Sequence, residues 1–165
     1  MTVEHHQRLD RMEILNTRQG VAAGLLGTVA LAVVVMFGSS ATHNGLWTPI
    51  NAAGAFFTGA DVIPGVFSGG LSIAGFVVML TLGGLLGALY ATAQEPVDSP
   101  SVMIIAVYYG FFIWFIATFV VMLFLNPLVQ QVWRQWFIFV GHLAYGAVLG
   151  VAAMLRNPWG KPREW

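Results

Sequence analysis

Cysteine is absent from this chain and charge is scarce, at 8% of its 165 residues. Without cysteine there is no disulfide, no thiolate nucleophile and no cysteine-held metal cluster. Soluble domains carry about a quarter charged residues, so a chain that is 58% hydrophobic would expose a large apolar surface to water. The formal net charge is zero, which provides no basic surface for nucleic acid. These shortages predict a protein that is solvated by lipid.

Four segments are long and apolar enough to cross a bilayer, which takes about 20 residues of helix. None of them contains an internal proline or any Asp, Glu, Lys or Arg. They predict an all-α membrane protein built as a four-transmembrane-helix bundle. The expected organisation is an N-terminal segment at 1–19, one membrane domain at 20–155 with spans near 20–39, 69–92, 102–125 and 136–155, and a C-terminal tail at 156–165.

The basic residues indicate how the spans are oriented, because Lys and Arg favour the cytoplasmic side of short loops. Six of the seven lie before the first span or after the fourth, and only Arg134 lies between the third and the fourth. We therefore expect a multi-pass protein of the bacterial inner membrane with both ends in the cytoplasm. The loop around residues 43–57 is then outside.

Small residues at helical spacing mark the faces on which the spans can pack. Lipid gives no hydrophobic force between helices, so close approach at glycine and alanine has to hold them together. With the orientation above, these positions fall in the cytoplasmic halves, which predicts a bundle that is tight inside and open outside. The frequency of glycine in membrane helices is the plainer explanation, but it leaves the sidedness unexplained. The predicted packing residues are Gly20, Gly24, Gly27, Gly83, Gly87, Gly110, Gly146 and Gly150.

The third span carries aromatic rings around most of its circumference. Such a helix faces lipid, a partner subunit or a pigment rather than the centre of a bundle. The residues predicted to form this face are Tyr109, Phe112, Trp114 and Phe115.

The outer loop HNGLWTPINAAGAFF, residues 43–57, has the features of a short helix. Thr48 can cap it, with Pro49 at the first helical position, and Gly59 follows its end. About 11 residues at 1.5 Å each give about 16 Å, half a bilayer, so we expect an interfacial or re-entrant helix. The loop either plugs the open end of the bundle or offers a docking surface. Its expected interface residues are His43, Trp47, Pro49, Asn51, Phe56 and Phe57.

His142 is the only ionisable side chain inside the predicted spans once tyrosines are set aside. Intramembrane ionisable residues are costly and often functional, so His142 is the candidate contact for haem, chlorophyll or quinone. A bond to a hydroxyl or backbone group of the protein is the commoner role. A haem held by two histidines would need His43, which lies beyond the end of the first span. A contact with the outer loop, through Asn44, Asn51 or Asp61, is favoured over a cofactor.

Two stretches, GLWTPINAAGAFF and WFIFVGHLAYGAVLGVAAML, carry a resemblance to other proteins. They resemble a loose group of uncharacterised bacterial four-span inner-membrane proteins with a Trp-x-Pro-x-Asn outer loop. The resemblance implies a compact helical membrane protein attached to a respiratory or photosynthetic complex. The matching residues are Trp47, Pro49, Asn51, Trp136, Phe137 and Gly146.

Catalytic motifs are missing from the sequence: there is no phosphate-binding loop, no HExxH, no GxSxG and no acidic pair on one helix. We therefore expect a non-catalytic accessory subunit of a larger membrane complex in respiratory or photosynthetic electron transfer. Its expected partners are the bilayer and other membrane subunits. Two alternatives stay open, a small transporter or channel for a neutral or lipid-like solute and a haem- or pigment-binding subunit. A lipid-modifying enzyme or dehydratase using His142 as acid and base is a further one.

Overall fold

The computed structural model describes residues 15–59, 62–94, 99–121, 130 and 135–156. These residues contain five helices and no strand. Four of the helices are long and apolar enough to cross a membrane, and the short one lies between the first two long ones. The predicted all-helical fold with four apolar helices is confirmed. The helices are α1 (Thr17–Ala41), α2 (Thr48–Thr58), α3 (Gly69–Ala93), α4 (Ser99–Phe119) and α5 (Trp136–Arg156).

Two helix ends differ from the predicted spans, at positions where hydropathy does not indicate that a helix begins or ends. α1 begins at Thr17, three residues early, because Asn16 and Gln19 form a capping box: each side chain accepts the other's backbone N–H, at 3.0 and 3.1 Å. α4 ends at Phe119, whereas the apolar run predicted residue 125. Apolar residues continue past the break, so composition alone could not locate it. Residues 122–125 lie outside the described ranges.

The long helices are arranged in an arc. α1 packs against both α3 and α5, and α4 packs against α5. The ends of the arc, α3 and α4, meet mainly through side chains, since the hydroxyl of Tyr109 donates to the carbonyl oxygen of Leu86 at 2.8 Å. The short helix α2 packs on α3 and, to a smaller extent, on α1.

Glycine brings the backbones of α1 and α3 into contact. A Cβ atom on Gly24 would overlap the carbonyl oxygen of Gly83 and lie 2.9 Å from the Cα of Gly87. A Cβ on Gly87 would in turn overlap the carbonyl oxygen of Gly20. Thr28 continues the same face and donates to the Gly24 carbonyl of its own helix at 2.8 Å. No side chain larger than hydrogen fits between these two helices at Gly24 and Gly87.

A second glycine contact joins α4 to α5. A Cβ on Gly110 would overlap the carbonyl oxygen of His142, and one on Gly146 would overlap the carbonyl oxygen of Ala106. A Cβ on Gly150 would lie 2.8 Å from the sulfur of Met103. The structure thus places each of these predicted packing glycines at a contact between two helices.

Gly27 has a different role, because it faces a ring rather than a backbone. A Cβ there would lie 2.8 Å from the ring of Tyr145 on α5. The contact between α1 and α5 then continues to the other end of α1, where a Cβ on Gly38 would overlap Phe137 and one on Gly141 would lie 2.9 Å from Val35. The expectation that the bundle opens in its outer half is therefore wrong for α1 and α5.

Much apolar surface faces outward on the four long helices. Between 17% and 44% of each candidate span is buried, and the smallest share belongs to α4. Water would solvate such a surface poorly, whereas hydrocarbon solvates it well. The exposed side chains of α1 and α3 are almost all aliphatic: Leu25, Leu26, Val29, Val33, Phe37, Ile73, Val77, Leu82, Leu85 and Leu89.

Neighbouring glycines on α3 provide a matched test of the backbone contact. A Cβ on Gly84 would lie 3.5 Å from Leu25, at ordinary contact distance, whereas one on Gly87 would overlap the α1 backbone. We expect Gly87→Ala to lower the free energy of unfolding by about 1–3 kcal/mol, the usual cost of overpacking, and Gly84→Ala to be neutral or slightly stabilising. Thermal unfolding in mild detergent measures both. Equal effects of the two substitutions would contradict the contact.

Candidate functional site: the buried polar contacts around α2

The start of α2 differs from the predicted cap. Trp47 occupies the cap position without a side-chain hydrogen bond, and Thr48 is the first helical residue, with Pro49 in the first turn. The Thr48 hydroxyl is unavailable for capping because it donates to the carbonyl oxygen of Asn44 and accepts the N–H of Gly65, the latter at 2.9 Å. The predicted end is found at Gly59, whose φ of 64° and N–H bond to Ala55 close the helix.

Glycine allows the two loops around α2 to touch. Gly45, before the helix, and Gly65, after it, have φ values of 84° and 79°, which lie in the left-handed region. A Cβ on Gly45 would overlap the Cα of Gly65. Ser39, at the end of α1, holds the first loop by donating to the Gly45 carbonyl at 2.8 Å.

Asn51 joins the helix to both segments that follow it. Its side chain is 1% exposed, its Nδ2 donates to the carbonyl oxygen of Val66 at 2.7 Å, and its Oδ1 accepts the Ser72 hydroxyl at 2.7 Å. Pro49, two residues earlier, is buried as well. Of the two roles expected for the outer loop, Asn51 and Pro49 therefore serve internal packing and are not accessible to a partner.

The crossing of α2 and α3 uses glycine again. A Cβ on Gly54 would overlap the carbonyl oxygen of Leu71, and one on Gly75 would overlap the carbonyl oxygen of Ile50. Gly54, Gly75 and Ser72 are not among the residues predicted from the sequence. The signal that could have found them is the run of small residues at the start of the second span, where Gly69, Gly70, Ser72 and Gly75 precede the predicted packing glycines.

The remaining predicted interface residues are spread around the outside of this unit. Trp47 is half-buried, with its ring centre 4.7 Å from that of Phe67 in an edge-to-face arrangement. His43 is exposed, with a φ of 60°, and Phe56 is 36% exposed. The side chain of Phe57 lies outside the described part of the structure.

His142 is buried at 6% exposure, and its Nδ1 donates to the carbonyl oxygen of Ile138 one turn earlier at 2.8 Å. Of its expected loop partners, Asn44 donates to the Thr42 hydroxyl and Asn51 is engaged as above. Asp61 lies outside the described ranges. Among the described residues, no group of three or more His, Asp or Glu is placed to hold a metal ion.

Two tyrosines reach across the arc and donate to the backbone of α3. Tyr145 donates to the carbonyl oxygen of Gly83 at 2.7 Å, and Tyr109 donates to that of Leu86. The Tyr109 ring also lies 5.1 Å from the ring of Tyr90. Tyr109 was predicted to face lipid or a partner, and this is wrong because its hydroxyl finds an acceptor only inside the bundle.

The other predicted residues of the aromatic face divide into two groups. Trp114 is half-buried, and its ring centre lies 4.8 Å from that of Phe139 on α5, so it belongs to the helix contact. Phe112 and Phe115 are exposed, at 59% and 42%, as expected for an outward face.

Comparison of the chain with protein-family models, curated proteins and solved structures finds no match. The resemblance to four-span inner-membrane proteins therefore stays a prediction. Function has to be inferred from the chemistry of the described residues. Around α2 that chemistry consists of hydroxyls and an amide bonded to protein atoms, an arrangement that fixes loops in place.

A double-mutant cycle tests whether Asn51 fixes the loop and α3 together. We expect Asn51→Ala to lower the free energy of unfolding by about 1–3 kcal/mol, because it leaves the part-buried carbonyl of Val66 and the buried hydroxyl of Ser72 without their partner. Ser72→Ala should cost much less once Asn51 is absent, since the two side chains share one bond. Asn44→Ala is the matched control, because its side chain bonds only within the first loop. Additive effects of Asn51→Ala and Ser72→Ala would exclude the coupling.

Proposed function

We propose that this chain is a non-catalytic accessory subunit of a larger integral-membrane complex. The observation that carries the proposal is the position of α4, which packs against one neighbouring helix along its length and has an aromatic face that the described residues leave uncovered. Only 17% of this candidate span is buried, against 28%, 39% and 44% for α3, α1 and α5. A further membrane subunit would complete the contacts of this helix.

The polar groups of the bundle support a structural role. Thr48, Asn51, Ser72, Tyr109 and Tyr145 each bond to backbone or side-chain atoms of the chain itself. Catalysis needs a nucleophile or acid–base group that is free to meet a substrate. These groups are committed to holding loops and helices, which favours a scaffold over an enzyme.

The alternatives have less support. A solute pathway through the inner half would have to separate α1 from α3, whose backbones touch at Gly24 and Gly87. A haem or chlorophyll at His142 would meet an imidazole that is only 6% exposed. That the complex belongs to respiratory or photosynthetic electron transfer is proposed from the sequence resemblance alone.

Extraction of the membrane in mild detergent, followed by native electrophoresis and mass spectrometry, tests the proposal. We expect the chain to migrate with other membrane proteins in constant proportion, far above its own 17.9 kDa. Gly84→Ala is a suitable control variant, because it leaves both the fold and the surface of α4 unchanged. Migration as a species containing only this chain, under the gentlest conditions, would contradict an accessory role.

The proposed orientation in the bacterial inner membrane, with both ends in the cytoplasm, can be tested cleanly because the chain has no cysteine. A single His43→Cys variant should react with a membrane-impermeant maleimide in intact cells, since residue 43 is exposed at the proposed outer end. Ser99→Cys, at the start of α4, should react only after permeabilisation. The reverse pattern would invert the orientation.

A further inference from the structure

The loop between α2 and α3 exposes large apolar side chains. Ile63, Val66 and Phe67 are 65%, 49% and 56% exposed, although they lie close together in the sequence. Asp61 is the only Asp, Glu, Lys or Arg between the end of α1 and the start of α3, and it lies outside the described ranges. An exposed apolar cluster of this kind marks a surface that binds something other than water.

Contacts on both sides hold this loop beside the ends of the long helices. Gly65 lies against the loop before α2, which Ser39 in the last turn of α1 holds by a hydrogen bond. The carbonyl oxygen of Val66 accepts the side-chain N–H of Asn51, and the same side chain accepts the hydroxyl of Ser72 near the start of α3. The loop therefore lies level with the ends of α1 and α3 instead of projecting beyond them.

The depth of the loop in a membrane follows from the lengths of these helices. α1 and α3 each have 25 residues, about 37 Å at 1.5 Å per residue, whereas the hydrocarbon core of a bilayer is about 30 Å thick. A spanning helix of this length extends about 4 Å beyond the core at either end. Ser39 and Ser72 lie about 3–5 Å from the ends of their helices, so the loop lies at the boundary between hydrocarbon and headgroups.

The backbone in the middle of the loop directs its polar groups onto the protein. Pro64 has no N–H, and the N–H of Gly65 donates to Oγ1 of Thr48 at 2.9 Å. The N–H of Val66 donates to the carbonyl oxygen of Ile63 at 3.4 Å, and its own carbonyl is bonded to α2 as described. Water is scarce at this depth, so a backbone whose polar groups are already bonded is favoured. Lipid leaves none of these groups unpaired, and a partner protein would find none of them free.

The exposed side chains of the loop continue the aliphatic face of α3. A Cβ on Gly69 would lie 3.9 Å from the ring of Phe67, and Ile73 follows one turn later on the same face of the helix. Ile73 and Val77 are 66% and 58% exposed. The apolar surface therefore runs from this face of α3 onto the loop, and one solvent suits both.

We propose that the segment 63–67 is a lipid-binding surface, whose side chains enter the leaflet at this end of the bundle. Ile63 and Val66 contact acyl chains near the headgroups. The aromatic pair of Trp47 and Phe67 lies at the headgroup level, where such rings are enriched in membrane proteins. The loop thereby fixes the depth of α2 in the membrane as well as its position against α3.

This inference rests on the proposed membrane-spanning arrangement and not on the accessory role, which concerns the face of α4. Lipid contact at the loop is compatible with either result of the native electrophoresis described above. The two proposals can therefore fail separately.

Nitroxide labels on single cysteines test the proposal, with the full-length chain in phosphatidylcholine liposomes. Ile63→Cys and Val66→Cys are the test positions. Ile73→Cys on α3 is the lipid-facing control, and His43→Cys, exposed just beyond α1, is the water-facing control. Electron paramagnetic resonance measures how often each label collides with oxygen, which concentrates in hydrocarbon, and with a polar nickel chelate, which stays in water. We expect the oxygen-to-nickel ratio at the test positions to exceed that of His43→Cys by at least about fivefold and to approach that of Ile73→Cys.

Two results would overturn the proposal. One is a ratio at both test positions equal to that of His43→Cys, since the loop would then face water. The other is a low collision rate with both reagents, because a second copy of the chain would then cover the loop. Ile73→Cys identifies a failure of the spanning arrangement itself, in which this control would collide with nickel as often as His43→Cys does.

Photocross-linking in native membranes gives a second readout, in which other proteins are present. A photoreactive diazirine amino acid replaces Ile63 in one variant and His43 in the control. We expect the variant at residue 63 to gain the mass of a phospholipid on illumination, and the control to gain none. Capture of another protein at residue 63 without any lipid adduct would overturn the proposal.

Discussion

Direct contact between helix backbones at glycine holds this bundle together. In the lipid that we propose surrounds these helices, burial of leucine or valine gives little net attraction between them, because lipid is as apolar as their own surface. Attraction then depends on van der Waals contact at the closest possible distance. Gly24 and Gly87 allow this for α1 and α3, and Gly110 and Gly146 allow it for α4 and α5. These pairs join α1 to α3 and α4 to α5, and the contact between α1 and α5 completes the arc of four helices.

A second constraint acts on every polar group in the bundle, because hydrocarbon offers no hydrogen bonds. The fold meets it for Tyr109 and Tyr145, whose hydroxyls donate to α3 carbonyls, and for Asn51, whose side chain bonds to Val66 and Ser72. Each of these bonds also joins two segments, so polar satisfaction and packing are achieved by the same contacts. The buried hydroxyl of Tyr90 is an exception, with no hydrogen-bond partner among the described residues.

Hydropathy and spacing could predict the four long helices, the short helix between them and the glycine positions, because each depends on residues close in sequence. The site around α2 depends on contacts distant in sequence. Asn51 and Ser72 are 21 residues apart, and nothing local shows that they meet. The inward position of Tyr109 could not be predicted either. α4 is aromatic on several sides, and the sequence pattern does not show which ring lies opposite a hydrogen-bond acceptor. Hydropathy could not locate the start of α1, which a capping box sets, or the end of α4 at Phe119, because apolar residues continue beyond it.

The central claim is that glycine backbones touch in the membrane, and solid-state NMR of the isotopically labelled chain in lipid bilayers tests it most directly. The structure predicts short-range cross-peaks between the α-carbon groups of Gly24 and Gly87 and between those of Gly110 and Gly146. Helical chemical shifts for all four residues with neither cross-peak would contradict the account, because the helices would then be formed without the contacts that define the bundle.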